Sequence, residues 1–358
     1  MVNIKLESLP KSNDFVEVVE CKGVGHPDTL CDTLCEKASQ ALNKYYLKNF
    51  GKTLHHNLDK ALIVAGKANV EFGGGLIEEP VKVIIAGRAV TKVGNMAVPV
   101  PKIVKEAVGS YLRQFKEFKS YEIEVEIKGG AANLEKMGGF ANDSSVGAAH
   151  FPFTILEDKV LKVSNHLNSD RFRRRFLGVG PDTKVLGIRM GDKIKLIVAI
   201  AFVSKYIRSM EDYMKVKQKI KKNLWERFNV MVELNAVDKH ESINDIYLTV
   251  SGFSCENGDD GQCGRGNRLN GLITPQQVMS IEAAAGKWDY HPGKTYQVWA
   301  EDLARSLVKK AGLKRVNVIL VSKIGNKLSE PEIVYVQSEG KVNMEKVENI
   351  IDGCFTVA

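Results

Sequence analysis

The sequence predicts an α+β fold, with sheets covered by helices on one face. Strand-like runs outnumber helical ones. They come several at a time between one or two helices, which does not fit a regular doubly wound βαβ alternation. The segment YEIEVEIK (residues 121–128) alternates strictly, as a strand with one buried face does. Apolar or alternating runs at residues 61–72, 81–91, 121–128, 193–203, 245–253, 316–322 and 332–337 are the expected strands. Helical spacing marks residues 28–46, where Cys31, Leu34, Cys35, Ala38 and Leu42 recur every three to four positions. It also marks 102–115, 295–313, 344–354 and 213–228, the last carrying the basic run KVKQKIKK. The run RFRRR (171–175) reads as a surface loop or short helix. Sheet faces left bare by so few helices need another partner, such as a second subunit.

A chain of 358 residues is long enough for two or three domains. Its 44% hydrophobic and 26% charged residues argue against long disorder or a fibrous repeat. No apolar run approaches the ~18 residues that span a bilayer, and the first twenty residues lack the apolar stretch of a signal peptide. Six cysteines (21, 31, 35, 255, 263 and 354) are scattered without a CxxC pair, the usage of reduced thiols and not of a disulfide frame or zinc site. A cytoplasmic protein is expected. The 51 basic against 43 acidic residues leave +8, which suits nucleic acid, an anionic surface, a pocket for a small polyanion, or a merely solvated face.

Five segments break the strand and helix pattern with glycine and charge. GVGHPDTLCD (23–32) opens a helix with His26, Pro27 and Asp28, where free backbone N–H groups favour an anion. A long glycine- and alanine-rich connection at 129–145 has the character of a ligand loop but matches neither GxGxxG nor a P-loop. PDTK (181–184) precedes the 193–203 run and, taken alone, is common decoration at the start of a strand. NGDDGQCGRGNR (257–268) sets Asp259 and Asp260 beside Arg265 and Arg268, carboxylates for magnesium and guanidinium forks for phosphate. EAAAGKWDYHPGK (282–294) gathers Lys287, His291 and Lys294 before a helix. Together they point to a magnesium–polyphosphate pocket.

The motifs GVGHPDTLCD, LHHNLD (54–59), EFGGG (71–75), GGFANDSS (138–145), NGDDGQCGRGNRLNGLITP (257–275) and MSIEAAAGK (279–287) resemble the S-adenosylmethionine synthetases, in particular their archaeal-type branch. The resemblance is collinear from about Glu17 to beyond residue 340. It implies an enzyme that joins ATP and L-methionine, then cleaves the bound triphosphate to pyrophosphate and phosphate. It implies Mg2+, with K+ as an activator. The implied fold has three similar sheet-plus-helix domains around a pseudo-threefold axis, approximately 1–24 with 154–250, 25–124 with 251–292 and 125–153 with 293–358. Flat sheet faces would be buried in a homodimer, or a tetramer built from it, with active sites between subunits.

The chemistry of that reaction gives the residues their implied roles. A thioether sulfur has no proton to lose, so attack on C5′ needs no general base, and the departing triphosphate is what must be stabilised. The resemblance places His26 at the bridging oxygen, Asp28 and Asp259 on magnesium with Asp260 in reserve, and Lys184 and Arg265 on the triphosphate. Lys287, His291 and Lys294 would cover its far end. Asp182 and the loop containing Gly138, Gly139, Asn142, Asp143 and Ser144 would contact the nucleotide, with Asp143 at the methionine ammonium. Three positions depart from the family pattern: Leu58 beside the potassium candidate Asp59, Thr33 in place of glycine, and Trp288–Pro292 in place of the usual asparagine–proline continuation. The competing readings are a basic nucleic-acid-binding protein using Arg171–Arg175 and the 215–222 run, and a same-fold triphosphatase or regulatory homologue. Neither a nucleic-acid nor a membrane partner is expected, because the basic residues at the glycine turns are interleaved with acids.

Overall fold

The computed structural model describes residues 3–10, 15–130, 139–239, 241–264, 269–339 and 343–355. Within them lie three larger sheets, each with its own apolar cluster and its own helices. The first sheet runs in the order Met231–Leu234, Lys193–Val203, Val179–Met190, Val16–Lys22, Leu272–Ile273. It packs on α3 (Ile155–Leu167), α4 (Asp170–Arg175) and α5 (Met210–Phe228) through Val19, Val160, Leu196, Phe202 and Tyr213. The second has the order Gly261–Gln262, His56–Val64, Val81–Ala89, Tyr121–Lys128. It lies on α1 (Pro27–Phe50) and α2 (Val100–Leu112), with Leu34, Leu42, Ile63, Val83 and Val104 between the layers. The third, Ile4–Ser8, Ile333–Ser338, Val316–Val321, Val146–Phe151, is backed by α6 (Pro292–Ala311) and α7 (Met344–Phe355). The architecture is mixed α+β.

Local chemistry explains the helix that matters most. His26 caps α1 by accepting the Asp28 N–H, Pro27 occupies the first turn where it needs no donor, and Gly51 ends the helix in the left-handed region at φ 70°. Leu30, Cys31, Leu34, Cys35, Ala38, Leu42 and Tyr46 form its buried stripe, the periodicity visible in the sequence.

Several sequence expectations change. The run 61–72 is two strands, His56–Val64 and Lys67–Glu71, because a turn intervenes. In that turn the Ala65 N–H donates to Asp260 Oδ1 at 2.8 Å and the Gly66 N–H to the Cys255 carbonyl at 2.8 Å. The run 245–253 is not a strand beyond Leu248–Thr249. Glu256 captures the Val250 and Ser251 N–H groups that a ladder would use, and Gly252 turns the chain at φ 88°. PDTK does not open a strand; it lies within Val179–Met190, where a bulge between Val179 and Thr183 accommodates Pro181. RFRRR is helical, as α4. Val16–Lys22, Val146–Phe151 and α3 carry no sequence expectation; α3 is opened by a capping box of Thr154 and Glu157. All six cysteines are free thiols. Among the described residues no helix is long and apolar enough to cross a membrane.

Candidate active site

Two clusters of charge form around the glycine-rich turns. The first is built where α1 begins. Gly25 and Gly261 let three backbones meet there: a Cβ on Gly25 would lie 2.6 Å from the Asp182 nitrogen, and one on Gly261 2.5 Å from the Pro27 carbonyl carbon. His26 Nδ1 accepts the Asp28 N–H at 3.3 Å, so the proton of a neutral ring is assigned to Nε2. Burial, then the Lys22 charge, lowers the His26 pKa; Asp28, Asp259 and Lys184 also act on it. The ring is therefore neutral at neutral pH and its free N–H is a donor.

Burial alone would raise the Asp28 pKa, but Lys22 Nζ at 2.6 Å and the Gln262 N–H at 3.1 Å hold it below the ordinary value. Lys184 reaches Glu20 at 2.7 Å and keeps 40% of its side chain exposed. Asp182 is buried and accepts from the Ser254 N–H (2.8 Å) and hydroxyl (2.5 Å); burial lifts its pKa to about 6. The Ser254 hydroxyl also lies 2.8 Å from Asp259 Oδ2, linking the two carboxylates. Asp260 turns away to hold Ala65.

The second cluster lies between α1, α6 and the His56–Val64 strand. Lys287 has a 4%-exposed side chain, with Nζ 2.8 Å from Asp59 and 3.0 Å from Glu282. Burial would raise Asp59, yet Lys287 and Lys60 hold its pKa at about 2. His291 caps α6 by accepting the Gly293 N–H at 3.0 Å; burial and the Lys287 charge lower its pKa to about 4. His291 Nε2 stands 3.8 Å from Asp143, whose pKa burial raises. Lys294 bonds Glu36 at 3.0 Å and the Lys287 carbonyl at 2.9 Å. The 139–145 loop is tied into this cluster, with the Ser145 hydroxyl on Glu282 and Asn142 3.1 Å from His55 Nε2. Gly139 sits in a turn at φ 83°, and the Ser144 N–H closes on Asp143 at 2.8 Å.

The three departures are absorbed by packing. Leu58 is fully buried, and strand alternation turns its neighbour Asp59 toward Lys287. The Thr33 hydroxyl bonds the Thr29 carbonyl at 2.8 Å within α1. Trp288 is buried, with its indole N–H on Thr53, and Pro292 opens α6.

A cavity of about 330 Å³ is lined by Asp59, Gln262, Cys263, Gly264, Glu282 and Lys287. Gln262 belongs to both clusters, since its N–H holds Asp28. His26, Asp28, Lys184, Asp182 and Asp259 are thus brought together in one chain, while Lys287, His291, Lys294, Gly139, Asn142, Asp143 and Ser144 form the other group. Gly138 and Arg265 lie outside the described residues. Sequence reading missed Glu20, Lys22, Gln262, Ser254 and Glu282 as members. The alternation of VEVVECK would have placed Glu20 and Lys22 on one strand face. Among the described residues no three His, Cys, Asp or Glu side chains converge as a metal cage. Asp28 and Asp259 are two carboxylates of the kind that fit magnesium, which takes few protein oxygens and fills its remaining positions from phosphate and water.

Residues 2–356 match the family profile described as S-adenosylmethionine synthetase (AdoMet synthetase). The chain is 42% identical over 360 aligned residues to a protein of Aeropyrum pernix named S-adenosylmethionine synthase, covering 94% of this chain and 87% of that one. Proteins of the same name from Thermoplasma volcanium and Pyrobaculum neutrophilum are each 39% identical, over 97% and 93% of this chain and 92% and 89% of theirs.

Proposed function

The chain belongs to the S-adenosylmethionine synthetase family, as a transferase forming S-adenosylmethionine from ATP and L-methionine, and we propose that its active site is built from the two clusters around His26 and Lys287. In the reaction the methionine sulfur lone pair forms a bond to C5′ as the C5′–O bond breaks, and those electrons pass to the bridging oxygen of triphosphate. The triphosphate is then hydrolysed to pyrophosphate and phosphate. The observation that carries the site assignment is the gathering of charge where α1 begins: His26 Nδ1 lies 3.9 Å from Asp28, Asp28 bonds Lys22 at 2.6 Å, Lys184 bonds Glu20 at 2.7 Å, and the Ser254 hydroxyl joins Asp182 to Asp259.

The neutral His26 ring donates from Nε2–H to the bridging oxygen, strengthening as charge develops there. Lys184 and Arg265 hold the phosphoryl oxygens, and Asp182 and the 138–144 loop contact the nucleotide. Asp28 and Asp259 would hold Mg2+, which supplies charge neutralisation for the leaving triphosphate and orients water for its hydrolysis. Asp260 is left to its loop contact. Lys287, His291 and Lys294 cover the distal phosphates and Asp143 meets the methionine ammonium. Asp59 does not fit the K+ that the resemblance implies, because its carboxylate is already paired with Lys287 and Lys60, each at 2.8 Å.

The proposal extends to three domains about a pseudo-threefold axis, 1–24 with 154–250, 25–124 with 251–292 and 125–153 with 293–358. Three separate apolar clusters support that division. Ile4–Ser8 and Leu272–Ile273 each join a sheet outside their own group, so the boundaries interleave further. A cytoplasmic homodimer, or a tetramer of such dimers, completes each site across the interface. In support, Leu62 and Val64 stand 43% and 40% exposed on the helix-free face of their sheet. With ATP, methionine and Mg2+ the protein should yield the sulfonium product with pyrophosphate and phosphate. Triphosphate hydrolysis without any adenosyl transfer to methionine would replace this reading with the triphosphatase one.

A further inference from the structure

Helix α1 carries three acids one turn apart on a single face, Asp28, Asp32 and Glu36. Each accepts a backbone N–H from a distant segment of the chain. Asp28 Oδ1 takes Gln262 at 3.1 Å, Asp32 Oδ1 takes Gly264 at 3.0 Å, and Glu36 Oε2 takes Gly286 at 3.1 Å. The other Glu36 oxygen holds Lys294 at 3.0 Å. Bonds from a carboxylate to an amide are charge-assisted and roughly twice as strong as neutral ones.

The ladder runs from one cluster to the other. Its first rung is at Asp28 beside His26, its second fixes the Gln262–Gly264 wall of the cavity, and its third fixes the residue before Lys287. Gly286 is held from both sides, since its carbonyl accepts the Leu58 N–H at 2.8 Å. Between the second and third rungs Cys35 Sγ and Cys263 Sγ lie 3.2 Å apart, so the wall rests directly on the helix. Only Asp28 has a chemical role in the reading above.

We infer that Asp32 and Glu36 are positioning residues for the adenosyl transfer: they hold the 262–264 and 286–287 backbones at fixed heights along one rigid helix and so keep the two clusters in register. The inference rests on the proposed function. That reading assigns neither side chain a substrate contact; Asp32 acts through a loop amide, and Glu36 through a loop amide and Lys294.

The test compares Asp32→Ala with Asp32→Asn and Glu36→Ala with Glu36→Gln, because the amides keep an acceptor oxygen. Product formation, hydrolysis of added triphosphate and thermal melting are measured for each. Asp32→Ala should lower kcat about 10–100-fold, in the range for residues that orient a site from behind. The methionine KM should hold and the protein should still melt cooperatively near the wild-type temperature. Asp32→Asn should recover most of that kcat, and Glu36→Gln less, having lost the Lys294 pairing. Equal kcat in all four variants, or a loss matching only the unfolded fraction, would overturn the inference. A wild-type protein that makes no sulfonium product sinks the functional reading instead. The ladder is then judged by amide hydrogen exchange, which must quicken at Gly264 in Asp32→Ala and at Gly286 in Glu36→Ala, or the inference fails too.

Discussion

The His26 cluster and the Lys287 cluster use the same residue types to opposite effect. Around His26 the charges are half-open: the Asp28 side chain is partly exposed and held by one lysine and one backbone amide, Lys184 is more exposed than Lys22, and Asp259 meets the Ser254 hydroxyl. Around Lys287 the charges are closed on one another, one ammonium gripped by two carboxylates. The difference teaches where ligand chemistry and where architecture dominate. An open carboxylate can trade its partner for a metal ion. A buried ion pair must be complete, because breaking it strands a charge out of water.

The largest effect expected from breaking this comparison is at His26. His26→Ala should lower kcat for the sulfonium product by about 10²–10³, the usual worth of a donor aimed at developing negative charge, while ATP binding stays nearly intact. Unchanged turnover would remove His26 from the mechanism. Next, Asp259→Asn should raise the Mg2+ needed for half-maximal activity by about tenfold or more, whereas Asp59→Asn should leave that requirement where it is. A Mg2+ shift in Asp59→Asn and none in Asp259→Asn would reverse the assignment of the two regions.

Asp59→Asn should act on stability instead, costing about 1–3 kcal/mol by chemical denaturation, since Glu282 still pairs Lys287. The acid limb of stability tests the same cluster. With its pKa at about 2, Asp59 contributes stability that is complete above the unfolded value near 4 and is lost as pH falls toward 2. His291, at about 4, stays neutral in the fold while the unfolded chain protonates below about 6.5. Its contribution is therefore lost as pH falls from about 6.5 to 4. His291→Gln should flatten the stability curve across that window and leave the Asp59 window unchanged. The smallest effect is at Thr33: Thr33→Gly, the residue the resemblance leads one to expect there, should lower stability by about 0.3–0.5 kcal/mol with activity unaltered.

The helices were legible because their signals are local. The α1 stripe, its His26 cap and its Pro27 start lie within a few residues of one another. The strand Val179–Met190 was not legible, since Gly180, Pro181 and Asp182 hide a bulged strand from any alternation count. Asp260 stands in reserve behind Asp259 in the sequence because adjacency does not reveal direction; one faces Ser254 and the other Ala65. Glu20 and Lys22 were overlooked because the acids and bases they meet belong to another strand and to α1.

The amino-acid order alone determined the class of fold, the placing of the glycine turns, the family, and with it the reaction, because each depends on side chains read in series. Only the folded chain decided who faces whom. Asp59 and Lys287 are 228 positions apart, and Asp28 and Gln262 are 234 apart. Pairings at that separation follow from sheets and helices stacking, and no short-range pattern encodes them.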